Sequence, residues 1–291
     1  MDFRFGFLPA SWDLILKEAN KGQGLDFSKI DLVSAAKSML KYGFKHIEIT
    51  LDVYYALPGV ITEKTIDKFI ELKEENNLSV SVHLPLWSLE PSSFNEHIRE
   101  ASVTSIVETI RLVEPLNPEV YVLHTTGALA AEYSRLPFPA KYKNMILQYM
   151  NGFAAKSVEE IIATTEINPK KLAIENIEFP FELTREIIEE YETSMCFDTG
   201  HLLAGYSGNY DFMEFLKMNY DLISEIHLHD GYRKTKESGV IIRDHIPLGT
   251  GKLPLKEFVD FLKEKNFKGP LVFELSFEEA RQSLEYIKKF I

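Results

Sequence analysis

Short apolar runs rich in β-branched residues alternate with longer segments of helical period from one end of the chain to the other, eight times over. The runs at 3–8, 46–51, 78–85, 120–125, 171–176, 194–198, 223–230 and 271–275 have the lengths of strands. Between and after them, 31–42, 63–76, 94–113, 140–165, 182–191, 210–220, 255–265 and 278–290 suit amphipathic helices. In "SVEEIIATTEI", for example, Val158, Ile161, Ile162 and Ile167 fall on one side, with Glu159 and Glu160 opposite. A strand followed by a helical crossover and another strand makes a parallel sheet, so the class is α/β. Unbroken alternation leaves nothing to separate as a second domain. Its 291 residues suit a barrel, which typically needs about 250. The expectation is one domain, 1–291, folded as a single (β/α)8 TIM barrel. The polar stretch "DGYRKTKESGVIIRDHIPLGTGKLPL" after the seventh strand reads as a functional loop.

Chemistry in such a barrel gathers at the C-terminal ends of the strands. Read in order, those ends repeat one theme. "SVSVHLP" ends in His83, "VYVLHTTG" in His124, "LAIEN" in Glu175 and "MCFDTGH" in Asp198. "SEIHLHDG" supplies His227 and His229, and "VFELS" supplies Glu274. Strand two carries Glu48, nearer its middle. Burying so many unpaired carboxylates would cost several kcal/mol each, on the order of the penalty for any isolated buried ion. A shared divalent cation relieves that cost, and mixed nitrogen and oxygen donors suit zinc or manganese better than magnesium alone. Glu175, Asp198, His227 and Glu274 lie on four successive strands and are the best four to share one metal. His229, on the face of His227 but one step nearer the lip, reads as an outer group or a substrate contact. Asp230 reads as a cap for the loop.

Other classes fit less well. The lone Cys196 excludes an internal disulfide and any all-cysteine metal site. The net charge of −12 repels a phosphate backbone at long range, which disfavours nucleic acid as partner without excluding it. No apolar run approaches the roughly 20 residues of a membrane span, and the N-terminus lacks the marks of a secretory signal. A cytoplasmic protein is expected, with a homodimer left open. "PLGTGKLPL" lacks the strand-to-helix setting of a nucleotide-binding loop.

Taken in order, "LAIEN", "CFDTGH", "HLHD", "DHIPLGTG" and "FEL" resemble the xylose-isomerase-like barrel superfamily over roughly residues 80 to 290. That superfamily includes sugar isomerases and epimerases and the endonuclease IV type of apurinic endonuclease. The epimerase branch implies one divalent ion held by Glu175, Asp198, His227 and Glu274. The endonuclease branch implies three zinc ions. For these, His83, His124 and Glu175 resemble the first site, and Glu175, Asp198, His227 and Glu274 the second. His201 and His245 resemble two ligands of the third. Its remaining ligand, an aspartate two residues before the histidine, is here replaced by Arg243, with Asp244 beside it. The opening "FRFGFLPASWD" also departs from the DNA-contacting start of that branch.

The leading expectation is therefore a metal-dependent isomerase or epimerase of a small sugar, sugar phosphate or polyol. Glu175 and Glu274 would move the proton through a metal-stabilised enediolate. His83, His124, His201 and His229 would orient hydroxyls. Trp87, with Trp12 and Phe179, would pack on the sugar, and Arg233 would clamp an anionic group. The second expectation is a zinc phosphodiesterase acting on abasic DNA, with His83, His124, His201 and His245 as further ligands. A metal-bearing sensor or scaffold without turnover is the third.

Overall fold

A computed structural model describes residues 3–10, 15–16, 30–236 and 239–291. Eight parallel strands close into a barrel: β1 (Arg4–Phe7), β2 (His46–Thr50), β3 (Ser79–His83), β4 (Tyr121–Leu123), β5 (Leu172–Glu175), β6 (Ser194–Asp198), β7 (Ile223–His227) and β10 (Pro270–Phe273). Each pairs with its sequence neighbours, and β10 closes the ring against β1, with Phe7 opposite Phe273. The remaining two strands, β8 (Asp230–Lys236) and β9 (Gly239–Ile246), form an antiparallel hairpin that rises from the end of β7. The long stretch expected to be a loop is thus largely paired backbone. The first hairpin strand is largely exposed and polar and the second part-buried without a regular alternation, so the period of a half-buried strand is missing there.

Helices wrap the barrel where expected, and their ends follow capping chemistry. In α1 (Leu32–Leu40) the Asp31 side chain accepts the Ser34 N–H, and in α3 (Glu63–Asn76) Thr62 accepts that of Thr65. The last helix, α11 (Phe277–Ile287), opens with a capping box between Ser276 and Glu279. Three short helices lie beyond the strand ends: α2 (Asp52–Ala56), α5 (Ala128–Arg135) and α8 (Thr199–Ala204). Between sheet and helices runs one continuous apolar layer, including Phe7, Phe44, Ile47, Phe197, Phe258 and Phe273. Among the described residues no helix is long and apolar enough to cross a membrane.

Inside the barrel the layers are not uniformly apolar. Val122, Ala173 and Cys196 form a small greasy patch on one side. The same interior holds His46, Glu48, Ser79, Ser81 and Glu225, all buried. Gly6 on β1 makes room for them, because a Cβ there would sit 2.7 Å from the His46 ring.

Candidate metal centre

The two-residue period of each strand decides which side chains reach the barrel mouth. β3, β5, β6 and β7 end on His83, Glu175, Asp198 and His227. His124 and Glu274 follow the last residues of β4 and β10 directly. One donor atom each from Glu175, Asp198, His227 and Glu274 lie within 4.8 Å of one another. The same spacing holds for His83, His124 and Glu175, and again for His201, Asp244 and His245. Glu175 and the hairpin residue His245 link these groups into one belt of donors. Asp244, one place from the position expected for the third group, reaches it because His245 adopts a left-handed backbone, with φ of 47°. Nothing in the strand pattern announces that turn, so Asp244 was not legible as a donor.

Hydrogen bonds fix which ring nitrogen faces inward. His83 Nδ1 donates to the carbonyl of Leu84 at 2.9 Å, which turns Nε2 towards Glu175 Oε2 at 3.4 Å. His201 Nδ1 lies 3.1 Å from both the carbonyl of Asn176 and Glu175 Oε1, with Nε2 towards Asp244 at 3.8 Å. His124 Nε2 is 2.9 Å from Glu175 Oε2. His227 Nε2 points down the barrel to Glu48, so Nδ1 faces Glu274 Oε2 at 3.1 Å and Glu175 Oε2 at 3.6 Å. A ligating imidazole with its other nitrogen committed to a carbonyl or carboxylate is the usual outer-shell arrangement of a metal site. Two of the inward atoms, His227 Nδ1 and Glu175 Oε1, are buried without a hydrogen bond. Orphaned lone pairs of this kind are costly unless a cation takes them. The donor set therefore fits a divalent ion.

Asp198 and His229 show how the end of β6 is held. Asp198 Oδ1 accepts the His201 N–H at 2.6 Å and so caps α8, while Oδ2 is left for the site. The His245 N–H donates to His229 Nδ1 at 3.1 Å, so the proton of His229 is on Nε2, donated to Asp198 Oδ2 at 2.9 Å. Both nitrogens of His229 are thus spent within the protein, and it is fully buried. Its contacts tie it to Asp198 and the hairpin. The glycine in "DTGH" has a steric cause, since a Cβ on Gly200 would lie 2.2 Å from His229 Nδ1. Asp230 does cap the loop: its carboxylate accepts the backbone N–H groups of Gly231, Gly249, Gly251 and Leu253 at 2.8–3.0 Å.

Carboxylates and imidazoles in the belt shift one another's protonation. Burial raises the pKa of Glu175, but the charges of His124 and His227 outweigh it and hold the carboxyl well below its ordinary range. Glu274 is likewise held low, burial opposing and His227 prevailing. Burial disfavours a charged His83, yet the contact with Glu175 and the charge of Glu274 push it up to about 9. His201 also reaches about 9, against burial, through Asp198 and Glu175. Protons on imidazoles thus stand in for the positive charge that a metal ion supplies, and metal uptake must displace them.

Two cavities flank the belt. One, of about 620 Å³, is lined by His83, Trp87, His245 and Glu274 together with Leu8, Val53 and Leu275. The other, of about 600 Å³, is lined by His124, His201, Trp87, Glu90, Ile177 and Glu178. Trp87 belongs to both and is half exposed. Among the described residues no lysine or arginine lines either one. Arg233 sits exposed on the hairpin and lines two other hollows with Gly205. Phe179 is buried in a satellite core with Leu147 and Met150, so it presents no face to a substrate. Trp12 lies outside the described residues.

Comparison with known proteins agrees with this architecture. The family model for the xylose isomerase-like TIM barrel matches residues 36–290. An uncharacterised protein of Methanocaldococcus jannaschii is 27% identical over 281 residues, covering 92% of this chain and 87% of its own length. A probable endonuclease 4 of Sulfurihydrogenibium sp. is 25% identical over 235 residues, covering 73% of this chain and 77% of its own. A solved structure described as a D-tagatose 3-epimerase-like protein superposes with a TM-score of 0.71 at 22% identity, covering 99% of this chain and 97% of that one. At that identity the likeness is one of fold.

Proposed function

The chain belongs to the xylose isomerase-like TIM barrel family, and on that footing we propose that it is a divalent-metal-dependent isomerase or epimerase of a small carbohydrate. The observation that carries this reading is the quartet Glu175, Asp198, His227 and Glu274, its donor atoms within 4.8 Å of one another beside a cavity with no lysine or arginine among its described lining residues. An uncharged polyol suits such a cavity better than a polyanion, which would be repelled by the acidic chain as a whole. Zinc or manganese, held by these residues, would supply positive charge beside a carbonyl and its neighbouring hydroxyl. Glu274 lines the cavity and is held ionised, which places it to take the proton from the carbon next to the carbonyl. Glu175, 3.4 Å from His83 Nε2, is the second carboxylate, and would deliver a proton to the opposite face after receiving one from the His83 imidazolium, while Glu274 keeps the proton it took until release. Trp87 supplies an apolar wall for the carbon skeleton, and His124 and His201 face the second cavity, where they meet hydroxyls.

A second reading, a zinc phosphodiesterase, is favoured by one specific feature: the further donor groups His83–His124–Glu175 and His201–Asp244–His245. Such a belt has places for two or three ions, and paired metals suit displacement at phosphorus. One experiment separates the two. Incubated with a panel of ketoses and ketose phosphates in deuterated water, the metal-loaded protein is expected to place deuterium on the carbon beside the carbonyl. No exchange across the panel, together with nicking of an abasic DNA duplex, would transfer the assignment to the second reading.

A further inference from the structure

The polar column inside the barrel, beneath the donors, has a task that the rim alone does not explain. His227 Nε2 stands 3.3 Å from both carboxylate oxygens of Glu48. Glu48 in turn lies 3.1 Å from Ser81 Oγ, which is also 2.8 Å from Glu225 Oε1. Below Ser81 is His46, with Nε2 at 2.8 Å from Ser81 Oγ and Nδ1 at 2.7 Å from Ser79 Oγ. Burial drives the pKa of His46 down to about 3, so it is neutral and has one N–H to give. The donors then run in one direction: Ser79 hydroxyl to His46, His46 to Ser81, Ser81 to a carboxylate, with His227 closing on Glu48 from above. Every one of these side chains is buried.

We propose that Glu48 is a positioning residue, which accepts a hydrogen bond from Nε2–H of His227 and thereby holds Nδ1 of that ring towards the metal ion, and that the Ser79–His46–Ser81–Glu225 column keeps Glu48 in place. Glu48 lines neither cavity and faces Nε2 of His227, the nitrogen turned away from Glu274 and Glu175. Its effect passes through one imidazole. Without it, His227 loses the partner that fixes both its tautomer and the plane of its ring. The strand period supports the assignment, because Glu48, Ser81 and Glu225 each precede by two residues a rim position, Thr50, His83 or His227, and so share its inward face. The inference rests on the metal reading and not on which reaction the metal serves.

The test uses the whole protein, selectively labelled with ¹⁵N-histidine and loaded with ¹¹³Cd as the probe ion. Coupling of cadmium to Nδ1 of His227, with the proton on Nε2, is expected. Coupling to Nε2 overturns the proposal. In parallel, Glu48→Ala should lower affinity for Zn²⁺ or Mn²⁺ by about 10- to 100-fold in chelator competition, the usual range for an outer partner of a ligating histidine. Glu48→Gln, nearly isosteric and still able to accept one hydrogen bond, should fall between that variant and the parent, and it serves alone if the alanine variant does not fold. Affinities equal to that of the parent in the folded variants overturn the proposal while leaving the metal centre standing. A parent chain that takes up no divalent ion overturns both.

Discussion

Glu175→Gln is expected to abolish tight metal binding and to lower turnover by about 10²- to 10⁴-fold, the range lost with a charged group at the reacting centre. Glu175 stands among four imidazoles. Its two oxygens lie within 3.6 Å of His83, His124, His201 and His227. An amide keeps the shape but presents an N–H₂ to imidazole nitrogens and removes the charge that links two donor groups. The variant should also lower the pKa of His83 and His201 from about 9, because the Glu175 contact helps hold both up. Metal content by mass spectrometry and an imidazole titration by NMR check the two effects separately. A variant with near-parental metal content and rate would show that Glu175 is a structural carboxylate only.

The largest loss of stability should come from a residue that touches no metal. Asp230→Ala removes the one acceptor shared by the N–H groups of Gly231, Gly249, Gly251 and Leu253. Each buried donor left without a partner costs about 1–3 kcal/mol, and water reaches some of these four, so a total of about 3–5 kcal/mol is expected. For a chain of this size that corresponds to a fall of roughly 5–8 °C in Tm. Asp230→Asn should recover only part of it, since one of its two polar atoms is itself a donor facing donors. Calorimetry of both variants in excess metal tests this, and a Tm within a degree of the parent would mean that the loop finds its acceptors elsewhere.

Much of this was readable in the chain, and the reasons for the exceptions are physical. The eight barrel strands and the eight long helices stand where apolar period places them, to within a few residues, because each buries one continuous face. The hairpin was not read as strands because "YRKTK" is polar and largely exposed and the part-buried "VIIRDHI" shows no clean alternation. Phe179 looked like a rim aromatic from its place after β5, but α5 and the long helix Ala140–Thr165 close over it. The rim donors were legible because each ends a strand, whereas Glu48 was noted in mid-strand without a task and Glu225, also in mid-strand, was passed over. A signal for them did exist: each sits two residues before a rim position, and a mid-strand acid on an inward face needs a partner. Asp244 had no such signal, since its reach depends on the left-handed backbone of His245.

The central claim is that carboxylates and imidazoles from separate strands share divalent cations at one mouth of the barrel. Anomalous diffraction from crystals grown with Zn²⁺ tests it most directly. The account predicts a peak with Glu175, Asp198 and Glu274 oxygens and His227 Nδ1 at about 2.0–2.2 Å, the ordinary bond lengths for such ligands. A zinc-replete crystal with no peak among those four residues, or with peaks only at surface side chains, would contradict it.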